Sequence, residues 1–392
     1  MKKILVSLIS EQPVPNILIA CHYRPDVFWF ISTKAMEDEK RTESIKNTLR
    51  LKGFSLSRET MAETVVNQDS FTDCMSRIES LIDTVSGEVE YIVNITGGNK
   101  VMALAAYEVF RDSGKTVAIN YLPLYKNEFI QIFPRKKSQP LSMNPIKERL
   151  NLEEYLESYG FHIENKNSFP AVRERTIARK DHSQWILNNY EQLKGMLGFI
   201  YKIVKDDRDK GKKHYQFSAT FEREPATVEK GFLERFGFAL RDRLISKDMT
   251  KDEIIYLTGG WFEEYVFNEM AGLLEDGVLD DAMMGVKIRS LGGSPNDLDL
   301  AFTKDNVFYL IECKTLGTEI GNKIVNEELY KKKAISSLLG KGEKRGFICT
   351  TFKTIDEHLT QRAEEYRLQI FNIEQARNIK NIISEKFRKA HD

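Results

Sequence analysis

Two periods of apolar positions alternate along the first third of the chain. Short apolar runs at 4–9, 27–32 and 91–95 have the length and β-branched or aromatic content of buried strands. Between and after them lie stretches with helical spacing: an apolar turn at 16–20, a charged helix at 37–52, a helix at 70–85, and a helix at 101–112 that Ser113-Gly114 stops. A strand at 116–121 then leads into a hairpin-like pair around Lys126-Asn127. Strands that alternate with helices predict a parallel sheet in a Rossmann-like α/β layer architecture. The basic, proline-bearing stretch 134–145 reads as a linker.

Beyond it the pattern turns helical. Residues 150–161 carry apolar side chains at 150, 152, 155, 156 and 159 before meeting a glycine, which predicts an amphipathic helix. Helical patterns recur at 183–204 and 226–244, separated by a charged loop at 205–213, so the middle of the chain reads as a helical, winged-helix-like connector. The last third mixes the periods again. A Gly-Gly break opens an amphipathic helix within 258–270; two adjacent strands follow in 296–315; 347–351 and 370–373 read as strands, with helices at 357–366 and at the basic end. The predicted domains are therefore 1–140, 141–250 and 251–392.

Composition narrows the classes. The chain has 392 residues, 41% hydrophobic and 30% charged, the balance of a soluble globular protein with room for two or three domains. Lys+Arg and Asp+Glu are both 58, so no global positive field draws in nucleic acid and binding must come from local patches. The patches at 135–137, 205–213, 331–333 and 341–345 are the candidates, the third because it closely follows the two strands of 296–315. Cys21, Cys74, Cys313 and Cys349 form no C-x-x-C pair and have no histidine at zinc spacing, which fits a reducing cytoplasm. The apolar start is cut short by Glu11 and no stretch reaches the ~18 apolar residues of a membrane span, so no membrane role is expected.

The chemistry concentrates in NDLDLAFTKDNVFYLIECKT, residues 296–315. Asp297 and Asp299 alternate with Leu298 and Leu300, and Glu312 and Lys314 alternate with Ile311 and Cys313, so each strand turns charge to one side and apolar groups to the other. Charges at the end of so apolar a run need a compensating partner, and a divalent metal supplies one. Carboxylate oxygens suit Mg²⁺ or Mn²⁺, which polarise a phosphoryl oxygen and lower the pKa of bound water, while an ammonium beside them orients that water. An isolated E-x-K is common in charged proteins. Here a helix with acids, a strand with D-x-D and an apolar strand ending in E-C-K follow in order, and the spacing D-x₁₂-E-x-K resembles the PD-(D/E)xK nuclease core. That resemblance implies that Asp299 and Glu312, with the backbone carbonyl of Cys313, ligate the metal and that Lys314 positions or activates the water. It also implies an acid from the preceding helix, Glu263 ahead of its neighbour Glu264, with Asp297 in an outer or solvent-facing place.

Two loops of the first third are unusual, and the second is equipped for an anion. SEQPVPN (10–16) follows the first strand; NITGGNK (94–100) joins a strand to a helix, where Gly97 and Gly98 permit close backbone approach and Lys100 adds charge to a helix start. Neither is a Walker A nor a G-x-G-x-x-G pattern. Together they resemble a CARF domain, the CRISPR-associated Rossmann fold that binds cyclic oligoadenylates, and a CARF domain followed by a PD-(D/E)xK domain is similar to the CARF nucleases, ancillary effectors of type III CRISPR systems. The resemblance implies that Ser10, Glu11, Gln12 and Pro13, with Thr96, Gly97, Gly98, Asn99, Lys100 and Met102, line the nucleotide pocket, joined by Thr33 and Lys34. It further implies an endonuclease acting on DNA or RNA, cyclic tetra-adenylate as activator, and a homodimer, whose two-fold axis matches that near-symmetric ring. Two other functions stay open: a ligand-responsive transcription regulator that binds duplex DNA through the middle segment, and a ring nuclease that degrades the cyclic nucleotide.

Overall fold

The computed structural model describes residues 1–135, 140–207, 213–290, 293, 295–315 and 345–388. Its first sheet contains β1 (Lys2–Leu8), β2 (Val27–Thr33), β3 (Met61–Val66), β4 (Val89–Asn94), β5 (Thr116–Tyr121), β6 (Glu128–Phe133) and β7 (Met143–Pro145), in the order β3-β2-β1-β4-β5-β6-β7. Strands β1 to β5 run parallel; β6 and β7 pair antiparallel to their neighbours. The parallel part is covered on both faces, which is why its strands are apolar throughout. Leu5 packs with Ile17 and Ile45 of the helices Val14–Tyr23 and Arg41–Leu51. Ile4 and Val6 pack on the other face with Ile78 and Ala105 of Phe71–Asp83 and Lys100–Asp112.

Three sequence expectations change here. The helix predicted at 37–52 is two, Lys34–Asp38 and Arg41–Leu51, broken where Lys40 takes a left-handed φ of 56°. Strand β3 carried no apolar run because it is the edge strand and half of it faces water. The end of the predicted linker is β7, a short strand added to β6.

The helix predicted at 150–161 is confined to Leu152–Ser158, started by an Asn151–Glu154 capping box. It ends before Gly160, at φ 83°, and Phe161 opens β8 (Phe161–Ile163). Helices Phe169–Ala178, Lys180–Asn188 and Tyr190–Val204 follow, where one helix at 183–204 was expected. A small antiparallel sheet, in the order β10-β11-β9, comprises β9 (His214–Thr220), β10 (Ala239–Arg241) and β11 (Leu244–Thr250). The helix predicted at 226–244 stops at Arg235, because Gly237 turns the chain at φ 69° and delivers Phe238 to the core from outside any helix.

The third sheet has the order β16-β15-β14-β13-β12-β8, with β12 (Asp281–Ser290), β13 (Pro295–Lys304), β14 (Val307–Lys314), β15 (Gly346–Thr350) and β16 (Leu368–Phe371). The two strands of 296–315 form a hairpin in which Leu300 faces Ile311, closed by Asp305 and Asn306, both at positive φ. Strand β12, on its far side, was not anticipated. Helix Leu152–Ser158 bridges the first and third sheets: Tyr155 and Leu156 share one core with Leu5 and Phe28 on one side and Leu298, Phe308 and Leu310 on the other. Among the described residues no helix is long and apolar enough to cross a membrane. The basic stretch 331–333 and most of 341–345 lie outside the described residues.

Candidate functional site

A cavity of about 240 Å³ opens where the third sheet meets the helix Trp261–Glu275. Asp299, Cys313 and Lys314 reach it from the hairpin, and Glu263 reaches it from the first turn of the helix. The Cys313 N–H donates to Asp299 Oδ2 at 2.8 Å, which turns that carboxylate toward β14 just beyond the last paired position of the hairpin. Burial, then the nearby carboxylates of Glu263 and Glu312, hold the Asp299 pKa well above the ordinary carboxylate range; Lys314 and the Cys313 N–H oppose that only in part. Three acids and one ammonium are therefore close enough to feel one another.

Glu312 sits at the base of this group, 5% exposed. Lys314 Nζ lies 2.9 Å from its Oε1, so in the fold a lysine is a charge partner of this buried acid, where the sequence reading assigned that part to a metal. Among the described residues no three His, Cys, Asp or Glu side chains stand together as a ready metal site. The Cys313 thiol, pushed up by burial and by Cys349, packs toward the neighbouring strand, where Cys349 is its register partner. Asp297 is exposed and outside the cavity lining.

The adjacent acids of the helix separate. Glu264 is 2% exposed and meets the Arg179 guanidinium through both oxygens, while the same arginine donates to Asp252 at 2.7 Å and lies over the Tyr256 ring. Burial raises the Glu264 pKa, and Arg179 counters it. This network clamps helix Trp261–Glu275 against helix Phe169–Ala178 and its successor; the acid that lines the cavity is Glu263. Spacing could not separate the two, since neighbours on a helix point about 100° apart and only the packing shows which direction is open.

The remaining wall comes from elsewhere. Tyr190, Leu197, Gly198 and Tyr201 of helix Tyr190–Val204 line the same cavity as Asp299 and Lys314, and Trp261 packs on Tyr190 beside it. The sequence reading found no catalytic constellation in that middle segment. Its only signal was a helical face with aromatic residues, indistinguishable from a core stripe.

A second set of residues gathers at the first sheet. The order places β1 beside β4, where the chain reverses the direction in which it adds strands; loops at such a switch point form the usual ligand crevice of an open α/β sheet. The loops after β1 and β4 meet there. Gly97 lies so close to β1 that an added Cβ would stand 2.0 Å from the Leu8 carbonyl oxygen, and Gly98 adopts φ 68°. Asn99 caps helix Lys100–Asp112 by accepting the Met102 N–H at 2.9 Å and reaches Gln68 O with its amide. Thr96 donates to Asn94 Oδ1 at 2.6 Å and accepts the Leu122 N–H at 2.7 Å. A buried pair missed in the sequence ties the loops together: Asn94 Nδ2 donates to Asn16 Oδ1 at 2.7 Å, and Asn16 donates to Leu8 O.

Of the predicted pocket residues, Glu11, Lys34, Asn99 and Lys100 are exposed at this edge and Ser10, Gln12, Thr96 and Gly98 half-buried. Pro13 is buried at the start of helix Val14–Tyr23, Thr33 caps Lys34–Asp38 by accepting the Met36 N–H, and Gly97 is sealed against β1. Met102 is 1% exposed and packs in the core beneath Gly98, a consequence of its place on the inward face of the helix.

Residues 4–155 match the Card1 CARF domain, and residues 250–390 match the Card1-like endonuclease domain. No curated protein of related sequence is found. Among solved structures, protein VC1899 from Vibrio cholerae superposes with a TM-score of 0.75 at 19% identity, over 98% of each chain. Can2 from Sulfobacillus thermosulfidooxidans, in complex with cyclic tetra-adenylate, gives a TM-score of 0.76 at 17% identity, over 98% of this chain and 99% of that one. A type III CRISPR defence DNA nuclease activated by cyclic oligoadenylate gives 0.51 at 18% identity, and this chain spans 45% of its length. At these identities the superpositions speak to the fold.

Proposed function

From the premise that this chain belongs to the Card1-like CARF endonucleases, we propose that it is a metal-dependent endonuclease cleaving DNA or RNA and switched on by cyclic tetra-adenylate. The observation that carries the reading is that Asp299, Glu263 and Lys314 line one cavity, with the buried Glu312 carboxylate close to Asp299 and bonded to Lys314. The domains are 1–140 for sensing, 141–250 as connector and 251–392 for cleavage.

The donor set fits Mg²⁺ or Mn²⁺: carboxylate oxygens suit hard divalent ions, and an acid whose ionisation is resisted by two neighbouring acids is stabilised by a cation placed among them. Asp299 and Glu312 would hold the ion with the Cys313 carbonyl, and Glu263 would complete or organise the set. When bound, such an ion polarises a phosphoryl oxygen and supplies water of lowered pKa. The chain's own residues do the positioning. Cys313 N–H fixes the Asp299 carboxylate. Lys314, anchored to Glu312, presents an ammonium that orients the attacking water and screens charge developing on the phosphate. Burial in a partly apolar cavity strengthens each of these interactions.

At the other end Lys100, the exposed N-terminus of its helix and the Gly97-Gly98 turn offer charge and backbone N–H groups to the phosphates of the activator. A homodimer would present two such edges to one ring. Binding acts on cleavage only through a difference in affinity between two arrangements of the protein.

The test uses labelled DNA and RNA with and without cyclic tri-, tetra- and hexa-adenylate, in Mg²⁺ and in Mn²⁺. Cleavage that requires both metal and activator, and that Glu312→Gln or Lys314→Met reduces by about 10²-fold or more with activator affinity intact, is expected. Cutting by Glu312→Gln at the wild-type rate would overturn the site. Linear product from the cyclic nucleotide would favour a ring nuclease.

A further inference from the structure

Helix Tyr190–Val204 lies outside both matched regions, yet it lines the same cavity as Asp299 and Lys314. Its three lining types differ in what they can do. Tyr190 is 4% exposed and already engaged, accepting a hydrogen bond from Thr351 at 2.9 Å and packing on Trp261 at 5.7 Å between centroids. Leu197 is 7% exposed and belongs to the core. Tyr201, half-buried, lines the cavity, and one helical turn before it no atom of the described residues comes within 4 Å of where a Gly198 Cβ would stand. A flat aromatic face beside a missing side chain makes a slot.

Resting on the nuclease reading, we propose that Tyr201 is a substrate-contact residue on which the nucleobase next to the scissile phosphate stacks, with Gly198 giving the sugar room. The phosphate is placed by Asp299 and Lys314, which line the same cavity, so the neighbouring nucleotide must occupy the space they share with Tyr201. At about 240 Å³ that space is below the ~300–1,000 Å³ of pockets for drug-sized ligands, so it admits a base and not a length of strand. Stacking suits this place because every base has a π face, so a tyrosine fixes the strand without restricting its sequence.

The experiment measures binding of fluorescein-labelled DNA and RNA oligonucleotides to full-length protein carrying Glu312→Gln, in the presence of cyclic tetra-adenylate, and cleavage by the otherwise wild-type chain. Tyr201→Ala is expected to weaken binding roughly 5- to 150-fold and raise KM alike, with Tyr201→Phe restoring the affinity lost. Gly198→Leu, which fills the slot, should weaken binding as well. An abasic residue beside the mapped cut should cost the parent protein the same factor and leave Tyr201→Ala indifferent. The inference is overturned if Tyr201→Ala binds like its parent, or if the abasic penalty is equal in both. Such a result with wild-type cleavage intact sinks this inference alone; a wild-type chain that cuts nothing with metal and activator sinks the nuclease reading and this one together.

Discussion

Tyr159 donates its hydroxyl to Gln12 Oε1 at 3.0 Å, joining the chain just after helix Leu152–Ser158 to the loop that follows β1. Its ring stacks on Tyr155, centroids 5.1 Å apart, and Tyr155 stacks in turn on Phe308 at 5.7 Å. Phe308 is on β14, the strand that ends in Glu312 and Lys314. The hairpin turn is gripped as well: Asn127 Nδ2 donates to Asp305 O at 3.2 Å, and Asn306 Nδ2 to Asn127 Oδ1 at 2.6 Å. The Gln12 loop and the hairpin of Asp299 and Glu312 are thus joined by a continuous run of packed rings.

Tyr159→Phe keeps the stack and deletes the hydrogen bond to Gln12, along with the one its hydroxyl shares with Tyr155. A hydrogen bond is worth about 0.5–1.5 kcal/mol net, so the ratio of cleavage rates with and without cyclic tetra-adenylate is expected to drop roughly 2- to 12-fold. Calorimetric affinity for the activator, measured in parallel, should move less than that ratio. An unchanged ratio would remove Gln12–Tyr159 from the coupling.

Asp299 has a stability consequence. Its folded pKa is raised, so its contribution favours the native state fully below the ordinary value of 3.8 and is lost as pH rises through the folded value. Metal-free protein should therefore carry a penalty at neutral pH that Asp299→Asn lacks. The Asn oxygen can still accept the Cys313 N–H. In chelator, Tm of Asp299→Asn is expected above wild type at pH 8, with the gap closing toward pH 4; Mn²⁺ should raise Tm of wild type more than of the variant. Parallel Tm curves across that range would contradict the assignment.

Lys100 is exposed at the start of its helix, so Lys100→Ala should leave Tm within about a degree while weakening cyclic tetra-adenylate binding about 10-fold or more, as expected for a charge-assisted contact to phosphate. Gly98→Val, at φ 68°, should lose activation and some stability together. Titration calorimetry and thermal melts separate the two.

Arg179 and Glu264 form a pair whose side chains are 18% and 3% exposed. Removing the arginine alone strands a buried acid, and Arg179→Leu should cost about 3–5 kcal/mol in denaturant unfolding. The double variant Arg179→Leu with Glu264→Leu should recover much of that. A single variant as stable as wild type would mean that the clamp on the helix lies elsewhere.

Much of this molecule is written in local spacing. Apolar runs of strand length, the Gly-Gly turn before Asn99 and Lys100, and the alternation around Asp299 and Glu312 depend on neighbours a few residues apart, so the α/β class, the two loops of the first sheet and the pairing of the two strands in 296–315 could be read directly. Elements whose pattern is half polar or ambiguous could not. The edge strand β3, the strand β12 and the small sheet within 214–250 show only in the fold, because what makes an edge or a turn is the strand that pairs with it.

The tertiary structure alone decided which groups meet. It turned Glu264 to Arg179 and Glu263 to the cavity, made Lys314 the partner of Glu312, sent Met102 into the core, and brought Tyr190 and Tyr201 across to Asp299 from more than ninety positions away. Contacts of that kind follow from how apolar faces pack against one another, and no residue carries in its own neighbourhood the identity of what will cover it.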